Sequence, residues 1–285
     1  MRGPSKTALI SASHRALHQS LDGGTILKDP FAVPILGPEA QPFVEQARND
    51  PIRRFWVLQF AGRSLFAEEA AEKALNTGVR QIVILGAGYD TYAYRCRTAP
   101  NTRLFEVDQP ATQLRKLERL ARASIPVPDN LTFVSTDFEH ETLADTLAGA
   151  SFDPLLPSFF TWLGVVYYLT EDSVAATMRY IGSMPDAQLA LDYITPLPDD
   201  MTPEVRAQAE AMIKRMAALG EPLRTPFLPE ALHRLTTECG LQVVEDLAPA
   251  DIFSRLGEPF PGAHPTRGWR FLRAATPAAM DAIRP

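Results

Sequence analysis

A short apolar run that ends in a glycine turn limits the folds open to this chain more than any other stretch of its sequence. Residues 82–85 are apolar and the first three of them are β-branched, which predicts a buried strand over 81–85. Gly86 and Gly88 follow directly, and because glycine has no Cβ and tolerates positive φ, a ligand can approach the backbone at these positions. A strand that runs into such a turn indicates a nucleotide-binding unit of an α/β fold.

A second predicted strand, residues 103–107, ends in acidic residues. Asp108 follows Gly88 by 20 positions, about the spacing at which a nucleotide-binding βαβ unit places a carboxylate on the ribose. A tight turn beside a solvated acidic strand end would give the same pattern. Because strand, turn and acid agree in order and spacing, the sequence favours a nucleotide site over that alternative.

The residues after the second glycine distinguish between nucleotides. A dinucleotide fingerprint has a third glycine three positions after the second, and here that position is Thr91, preceded by Asp90. A carboxylate in this loop would repel a pyrophosphate, whereas it suits S-adenosyl-L-methionine, which carries an ammonium and a sulfonium. The electrostatics therefore favour a methyl donor over NAD.

The glycine motif, residues 84–91 followed by Arg95, and the acidic strand end, residues 105–110, together form a recognisable pattern. Both resemble motifs of the class I S-adenosyl-L-methionine-dependent methyltransferases, and within them of the leucine carboxyl methyltransferase-like O-methyltransferases. The resemblance extends from about Ser5 to Tyr168 and weakens towards the C-terminus. It implies an α/β fold with a Rossmann-like, doubly wound, seven-stranded and mostly parallel sheet, an N-terminal helical extension and an inserted helical lid.

The chain is predicted to form a single methyltransferase domain (1–285) whose parts follow one another along the sequence. They are an N-terminal helical cap (1–78), a cofactor-binding core (79–195), a lid insertion (196–228) and the C-terminal part of the core (229–285). Apolar periodicity predicts the main helices at 7–21, 53–75, 109–123, 203–219 and 229–239. Strands are predicted at 81–85, 103–107, 131–135, 158–169, 188–193, 241–246 and 269–275, the last as an antiparallel edge strand. The helix in the insertion could instead be an extra packing helix.

The resemblance implies roles for individual residues in binding the methyl donor. Asp108 would bind the ribose, Asp137 the adenine amino group with a backbone N–H from Phe138, and Arg63 the carboxylate. Gly86 and Gly88 would lie at the amino-acid end of the donor. The further candidates for this site are Arg15, Ala87, Asp90, Gln109 and Trp162.

The first predicted helix carries a basic face made of His14, Arg15 and His18. Members of the family that the chain resembles open with a helix that folds over the cofactor and often carries a basic residue. Arg15 is therefore a candidate for contact with the donor carboxylate. A solvated helix face explains Arg15 about as well.

Three other candidates for the donor site also have a structural explanation. Arg63 could form a surface ion pair with the glutamates at 68–69, although a planar guanidinium can grip a carboxylate with two hydrogen bonds. Asp137 could cap the helix that follows it. Trp162 could form a wall of the pocket or pack in the core, and the sequence does not distinguish these roles.

Candidates for the acceptor site come from predicted strand ends, where doubly wound sheets bind their ligands. They are Tyr168, Asp192 and Tyr193, with His264 in a loop at the same rim, where a structural loop histidine is the alternative. A carboxylate acceptor needs no base at neutral pH, whereas a phenol or an alcohol does, and Asp192, His264 or a tyrosine could serve. Eukaryotic relatives carry a glutamate where this chain has residues 162–164, which puts methylation of a protein C-terminus in doubt but not donor binding.

Composition argues against several classes of partner. A formal net charge of −6 without a lysine or arginine block disfavours nucleic acid and anionic membrane surfaces. No apolar stretch reaches membrane-spanning length, and the N-terminal residues do not form a signal-peptide core. Cys96 and Cys239 are too few and too far apart for a disulfide framework or a metal site. A cytoplasmic protein without a metal is therefore expected.

The sequence thus predicts a methyltransferase that uses S-adenosyl-L-methionine, releases S-adenosyl-L-homocysteine and methylates a hydroxyl or carboxylate of a small molecule. The resemblance to bacterial family members favours a secondary metabolite as that acceptor. Two alternatives stay open, a non-catalytic protein that binds the donor and an NAD-dependent oxidoreductase. The oligomeric state is also open, with a homodimer among the options.

Overall fold

The apolar run of residues 81–85 forms an inner strand of a seven-stranded sheet. A computed structural model describes residues 4–96, 101–137, 140–261 and 267–283, without the side chain of Glu39. The strands in this part of the chain are β1 (Gln81–Leu85), β2 (Arg103–Asp108), β3 (Leu131–Ser135), β4 (Ser158–Trp162), β5 (Ala187–Ile194), β6 (Gln242–Leu247) and β7 (Trp269–Ala275).

Helices precede the sheet, connect its strands and follow it. They are α1 (Lys6–Asp22), α2 (Gln41–Asn49), α3 (Arg53–Asn76), α4 (Tyr92–Arg95), α5 (Pro110–Arg122), α6 (Leu143–Ala148), α7 (Glu171–Gly182), α8 (Pro203–Ala218), α9 (Pro229–Glu238), α10 (Pro249–Arg255) and α11 (Pro277–Ile283). Short 3₁₀ helices span Pro34–Leu36, Pro38–Ala40 and Val166–Tyr168. Among the described residues, no helix combines the length and apolar character that crossing a membrane requires.

The strand order is β3-β2-β1-β4-β5-β7-β6, with β1 to β5 parallel and β7 antiparallel to both of its neighbours. This confirms the predicted doubly wound, mostly parallel sheet. Because the order reverses between β1 and β4, their carboxyl ends form the crevice in which such sheets bind ligands.

The prediction that residues 269–275 form an edge strand is wrong. This segment, β7, pairs with both β5 and β6, and β6 is the edge. The two arginines of β7 are typical of an exposed strand, but β6 supplies their partners: Arg270 lies 3.1 Å from Asp246 and Arg273 lies 3.0 Å from Glu245. Paired in this way, charged side chains can occupy an inner strand.

The prediction of one long fourth strand at 158–169 is also wrong. β4 ends at Trp162, and Gly164 adopts a φ of +76°, which extended backbone does not have. The chain then forms the short helix Val166–Tyr168. Tyr168 therefore lies on a 3₁₀ turn beyond the sheet rather than at the end of a strand.

Alternating strand residues bury an apolar cluster on each face of the sheet. In β1, Val83 and Leu85 belong to one cluster, whereas Ile82 and Ile84 belong to the other. Consecutive side chains of a strand point to opposite faces, and helices cover both faces. At the carboxyl edge, α1 packs on α2 and α3, and its Ala8 lies against Gly88.

Candidate cofactor and acceptor site

A cavity of about 1010 Å³ lies beyond the carboxyl ends of β1 and β4. Its floor includes residues 84–90 of the sheet and the glycine turn, and its walls come from α1, α2, α3 and α8. Pockets for one small molecule usually measure about 300–1,000 Å³. This volume is at the upper end of that range and gives room for a donor and an acceptor together.

The turn at the floor of the cavity requires glycine, because a residue with a side chain would not fit there. Gly86 has a φ of +66° and Gly88 a φ of +47°, values that favour glycine. A Cβ on Gly86 would collide with the side chain of Val165, and one on Gly88 would lie 3.1 Å from the Cβ of Ala8. The backbone of the turn is therefore accessible to a ligand bound in the cavity.

Asp108 at the end of β2 is held beside this turn. Its carboxylate accepts hydrogen bonds from the backbone N–H of Gly88 and, at 2.6 Å, from that of Gln109. Burial raises the pKa of Asp108 to about 6. The carboxylate belongs to the cavity wall, at the position where the sequence predicts the ribose contact.

Other predicted donor-site residues share the same wall. Ala87, Asp90, Gln109 and Asp137 all line the cavity. The Asp90 carboxylate accepts a hydrogen bond of 2.7 Å from the backbone N–H of Tyr92. This bond fixes the carboxylate within the glycine turn.

Arg15 is buried, so a solvated helix face does not describe it. It lines the cavity and donates a hydrogen bond of 2.5 Å to the carbonyl oxygen of Tyr89, in the glycine loop. Its Nε also lies 3.8 Å from a carboxylate oxygen of Asp29. These contacts tie α1 to the loop that forms the floor of the cavity.

Arg63 is also buried in the cavity wall. It donates to Asp192 at 3.1 Å and to the hydroxyl of Ser11 at 2.9 Å, while its buried Nε has no hydrogen-bond partner among the described residues. The alternative pairing with the glutamates at 68–69 does not form, because Glu68 pairs with Arg95 instead. A free N–H on a buried guanidinium suits a carboxylate ligand.

Asp192 and Tyr193 are not among the residues that line the cavity. The Asp192 carboxylate accepts from Arg63 and from the backbone N–H of Gly164, so it holds Arg63 in place and is not free to act as a base. Tyr193 is the next residue of β5 and points to the opposite face. Its hydroxyl donates to Asp246 at 2.7 Å.

The other predicted residues also separate by position. Tyr168 lines the cavity from its 3₁₀ turn. Trp162 is fully buried in an apolar cluster and does not line the cavity, so core packing is the role that the structure supports. Phe138 and His264 lie outside the described residues. No group of three potential metal ligands occurs in the described ranges.

The half of the cavity away from the glycine turn is mainly apolar. Its aromatic members are Phe55, Trp56, Phe60 and Trp269, and α8 adds Met212 and Met216. Trp56 and Trp269 meet edge to face with ring centroids 5.2 Å apart. We call this region the acceptor half and the region around the glycine turn the donor half.

His14 is the functional candidate that sequence reasoning missed, because it was grouped with a basic helix face. The ring is buried and lines the cavity. Its Nδ1 lies 2.8 Å from the carbonyl oxygen of Ile10, and its buried Nε2 has no hydrogen-bond partner in the described part of the chain. Ser11 shares its helix face, but the contact of Ser11 with Arg63 depends on how α1 packs on α3, so the sequence carries no signal for this role.

Comparisons with known proteins find similar chains. A family model described as leucine carboxyl methyltransferase matches residues 8–182. YktD of Bacillus subtilis, whose name assigns it to the S-adenosyl-L-methionine-dependent methyltransferases, is 31% identical over 277 residues, which cover 87% of this chain and 90% of YktD. A Mycolicibacterium smegmatis protein with the same assignment is 29% identical over 90% of this chain and 88% of its own.

Solved structures share the fold. A Thermobifida fusca protein assigned to the methyltransferases superposes with a TM-score of 0.57 at 16% identity, covering 96% of this chain and 95% of its own. A DUF574 family protein from Streptomyces avermitilis gives a TM-score of 0.54 at 18% identity, covering 96% of this chain and 98% of its own. At these identities the likeness concerns the arrangement of strands and helices alone.

Proposed function

The chain belongs to the leucine carboxyl methyltransferase family and is an S-adenosyl-L-methionine-dependent methyltransferase, and from this premise we propose that it methylates an oxygen atom of a small molecule. The oxygen belongs to a hydroxyl or a carboxylate. The observation that carries the proposal is the two-part cavity, in which the glycine turn with Asp108 adjoins an aromatic half. A small apolar acceptor fits that half.

The residues of the donor half fit S-adenosyl-L-methionine. The glycine turn has no room for a Cβ at Gly86, and Asp90 gives it the negative charge that a sulfonium and an ammonium prefer. We assign the ribose hydroxyls to Asp108, the adenine amino group to Asp137 and the donor carboxylate to Arg63, whose buried Nε has no other partner among the described residues.

The bound donor supplies an electrophilic methyl group together with its leaving group. The chain's own contribution is to align the acceptor oxygen and to exclude water. Arg63 would bind the methionine end of the donor, and the ion pair with Asp192 holds the guanidinium in place. Phe60 and Trp56 then give the acceptor an apolar wall next to that end.

We assign the insertion at 196–228 as a lid over the acceptor half. None of the residues of α8 is buried, yet Met212 and Met216 line the cavity. A helix that exists only to fill the core would bury one face. The flexible methionine side chains also suit a surface that adapts to its ligand.

The resemblance to bacterial family members supports a secondary metabolite as the acceptor. A protein C-terminus is less suitable, because the chain lacks the glutamate that eukaryotic relatives carry where this chain has residues 162–164. Family membership sets aside the NAD-dependent alternative. A protein that only binds the donor is the remaining alternative, and the experiment below distinguishes it.

Two measurements test the proposal. Calorimetric titration with S-adenosyl-L-methionine and S-adenosyl-L-homocysteine should show binding that Asp108→Ala weakens strongly in folded protein. A methyl-release assay across phenols, carboxylic acids and amines should then show transfer to oxygen acceptors. Transfer to amines alone, or donor binding without transfer to any acceptor class, would contradict the proposal.

A further inference from the structure

The tautomer of His14 follows from its contacts. A carbonyl oxygen can only accept a hydrogen bond, so the Nδ1 that lies 2.8 Å from the Ile10 carbonyl carries the proton. In the neutral ring the other nitrogen, Nε2, then has a lone pair. This Nε2 is the buried atom without a hydrogen-bond partner among the described residues. The helix therefore holds an imidazole ready to accept a proton.

His14 lies beside the group that we assign to the methionine end of the donor. Both groups contact the ring of Phe60. The centroid of this ring lies 5.0 Å from the centroid of the His14 imidazole and 5.0 Å from the guanidinium carbon of Arg63. Ser11, which precedes His14 on the same face of α1, accepts a hydrogen bond from Arg63. Since the sulfonium belongs to the same methionine part, the imidazole lies on the cavity wall that also carries the group assigned to the donor carboxylate.

Building on the proposed function, we propose that His14 is the general base of this methyltransferase and that the acceptor is a phenol or another aromatic hydroxyl. The base and the aromatic residues that would contact the acceptor belong to the same wall of the cavity. The base is the Nε2 of His14, and the aromatic ring of the acceptor lies among Trp56, Phe60 and Trp269.

The proton and the electrons of the step are accounted for. The acceptor hydroxyl gives its proton to His14 Nε2 while its oxygen forms a bond to the methyl carbon. The carbon–sulfur bond breaks and its electron pair stays on sulfur, which leaves S-adenosyl-L-homocysteine and a methyl ether. The imidazolium of His14 returns its proton to water, so no further reactant is needed.

Acidity selects a phenol among the oxygen acceptors. A carboxylate is already ionised at neutral pH and gives a base nothing to do. An aliphatic hydroxyl resembles water, whose pKa is about 15.7, and lies far from the range of an imidazole, whereas a phenol with a pKa of about 10 lies within reach. An aromatic acceptor also gains offset or edge-to-face contacts with Trp56 and Phe60.

The surroundings of His14 keep its ring neutral. Burial is the largest effect and lowers the pKa below the ordinary value of 6.5. Asp50, after the end of α2, raises the pKa and Arg215 on α8 lowers it. The ring therefore stays in its basic form at neutral pH, which a proton acceptor requires.

His14→Asn is the variant that tests the proposal. The asparagine amide can still donate to the Ile10 carbonyl, but it cannot take a proton. The matched control is His233→Asn, since His233 contacts Asp246 and does not line the cavity. Both variants are assayed with saturating donor against phenol, 4-chlorophenol, 4-nitrophenol and benzoate. Calorimetry with S-adenosyl-L-homocysteine confirms that the donor half is intact.

We expect kcat of His14→Asn for phenol to fall about 100-fold or more while the affinity for S-adenosyl-L-homocysteine is unchanged. The loss should shrink along the series and nearly vanish for 4-nitrophenol at a mildly alkaline pH that ionises it in solution. In the complex with S-adenosyl-L-homocysteine, where no turnover occurs, wild-type protein should increase the phenolate absorbance of 4-nitrophenol and His14→Asn should not.

The outcomes separate this inference from the proposed function. Methylation of benzoate but of no phenol, or a loss in His14→Asn that is equal for every phenol, would overturn the inference and leave O-methylation intact. Failure of the wild-type protein to methylate any phenol or carboxylate despite donor binding would overturn the proposed function itself.

Discussion

The two halves of the cavity are built in opposite ways. The donor half is made largely of backbone and short acidic side chains from residues 84–90 and 108–109, with Asp137 and Arg63 added from elsewhere in the chain. The acceptor half is made of long aromatic and methionine side chains from α3, α8 and β7, which are far apart in the sequence. The first half has little freedom to change, because its geometry is that of the strands themselves. The second can change residue by residue.

Because of this difference, the two halves have different roles in binding. A backbone turn between parallel strands fits one ligand, and the same turn can serve any acceptor chemistry. Side chains on helices that pack over the strand ends decide which acceptor enters. Substitutions in the donor half should therefore alter the donor affinity, and substitutions in the acceptor half should alter the KM for the acceptor.

Gly86→Ala should have the largest effect. The new Cβ would collide with Val165, and the φ of +66° strains any other residue by about 1–3 kcal/mol. We expect calorimetry to show a loss of donor affinity of about 5-fold to 140-fold from this strain, with the collision adding to it, since each factor of ten corresponds to about 1.4 kcal/mol.

Gly149→Ala is the matched control for that variant. Gly149 has a φ of −73°, and a Cβ there would meet only the carbonyl oxygen of Thr146, at 3.8 Å. It should keep the wild-type donor affinity. Equal losses in the two variants would mean that glycine content matters rather than the close approach at the turn.

Trp56→Ala should have the next largest effect, which concerns binding of the acceptor in the acceptor half. Loss of an aromatic wall costs a bound acceptor about 2 kcal/mol of apolar contact, so KM for the acceptor should rise about 30-fold while the donor affinity stays constant. Trp162→Phe is the control, because Trp162 is buried in the core and does not line the cavity. It should lower thermal stability and leave KM unchanged, and a raised KM would return Trp162 to the binding site.

The donor half could be predicted from the sequence because strand, turn and acid are local signals. The position of Asp108 follows from its distance along the chain to Gly88, and parallel strands bring the two together. The mostly parallel sheet follows from the family resemblance that these motifs carry. Nothing in this inference requires knowing how distant helices pack.

The acceptor half could not be predicted in the same way. The sequence groups His14 with a basic helix face, because the surface that packs against it, formed by Phe60 of another helix, is not visible in the spacing of α1. Asp192 and Tyr193 were grouped by their position at a strand end, although adjacent strand residues point to opposite faces. The end of β4 depends on the positive φ of Gly164, which an apolar run does not reveal.

The third prediction concerns the pH dependence of donor binding. Burial raises the pKa of Asp108 to about 6, so the carboxylate that we assign to the ribose gains a proton as the pH falls through that value. Protonation removes an acceptor, and the Kd for S-adenosyl-L-methionine should rise up to about tenfold per pH unit below it.

Asp108→Asn should bind the donor more weakly at neutral pH and lose this dependence, because an amide does not titrate. Calorimetry at a series of pH values measures both. A pH dependence that persists in Asp108→Asn would assign the effect to another group of the donor half.

The smallest effect is expected from a substitution of Glu221, a residue that connects the lid insertion to α1. Glu221, which follows α8, accepts hydrogen bonds from the Ser5 hydroxyl at 3.2 Å, from the Lys6 backbone N–H at 2.8 Å and from the Thr7 hydroxyl. A carboxylate at the N-terminus of α1 also meets the positive end of the helix dipole. Glu221 thus connects the lid insertion to the helix that covers the glycine turn.

Glu221→Gln keeps an oxygen acceptor there and removes the charge. The loss of the dipole interaction, about 0.3–1 kcal/mol, should make donor dissociation roughly twofold to fivefold faster in stopped-flow measurements. Because the charge of Glu221 also raises the pKa of Asp108, the pH below which donor binding weakens should move down in the same variant. Glu204→Gln, on α8 but outside the cavity wall, should show neither change. A faster dissociation without the movement in pH would mean that Glu221 acts on α1 alone and that the two halves are independent.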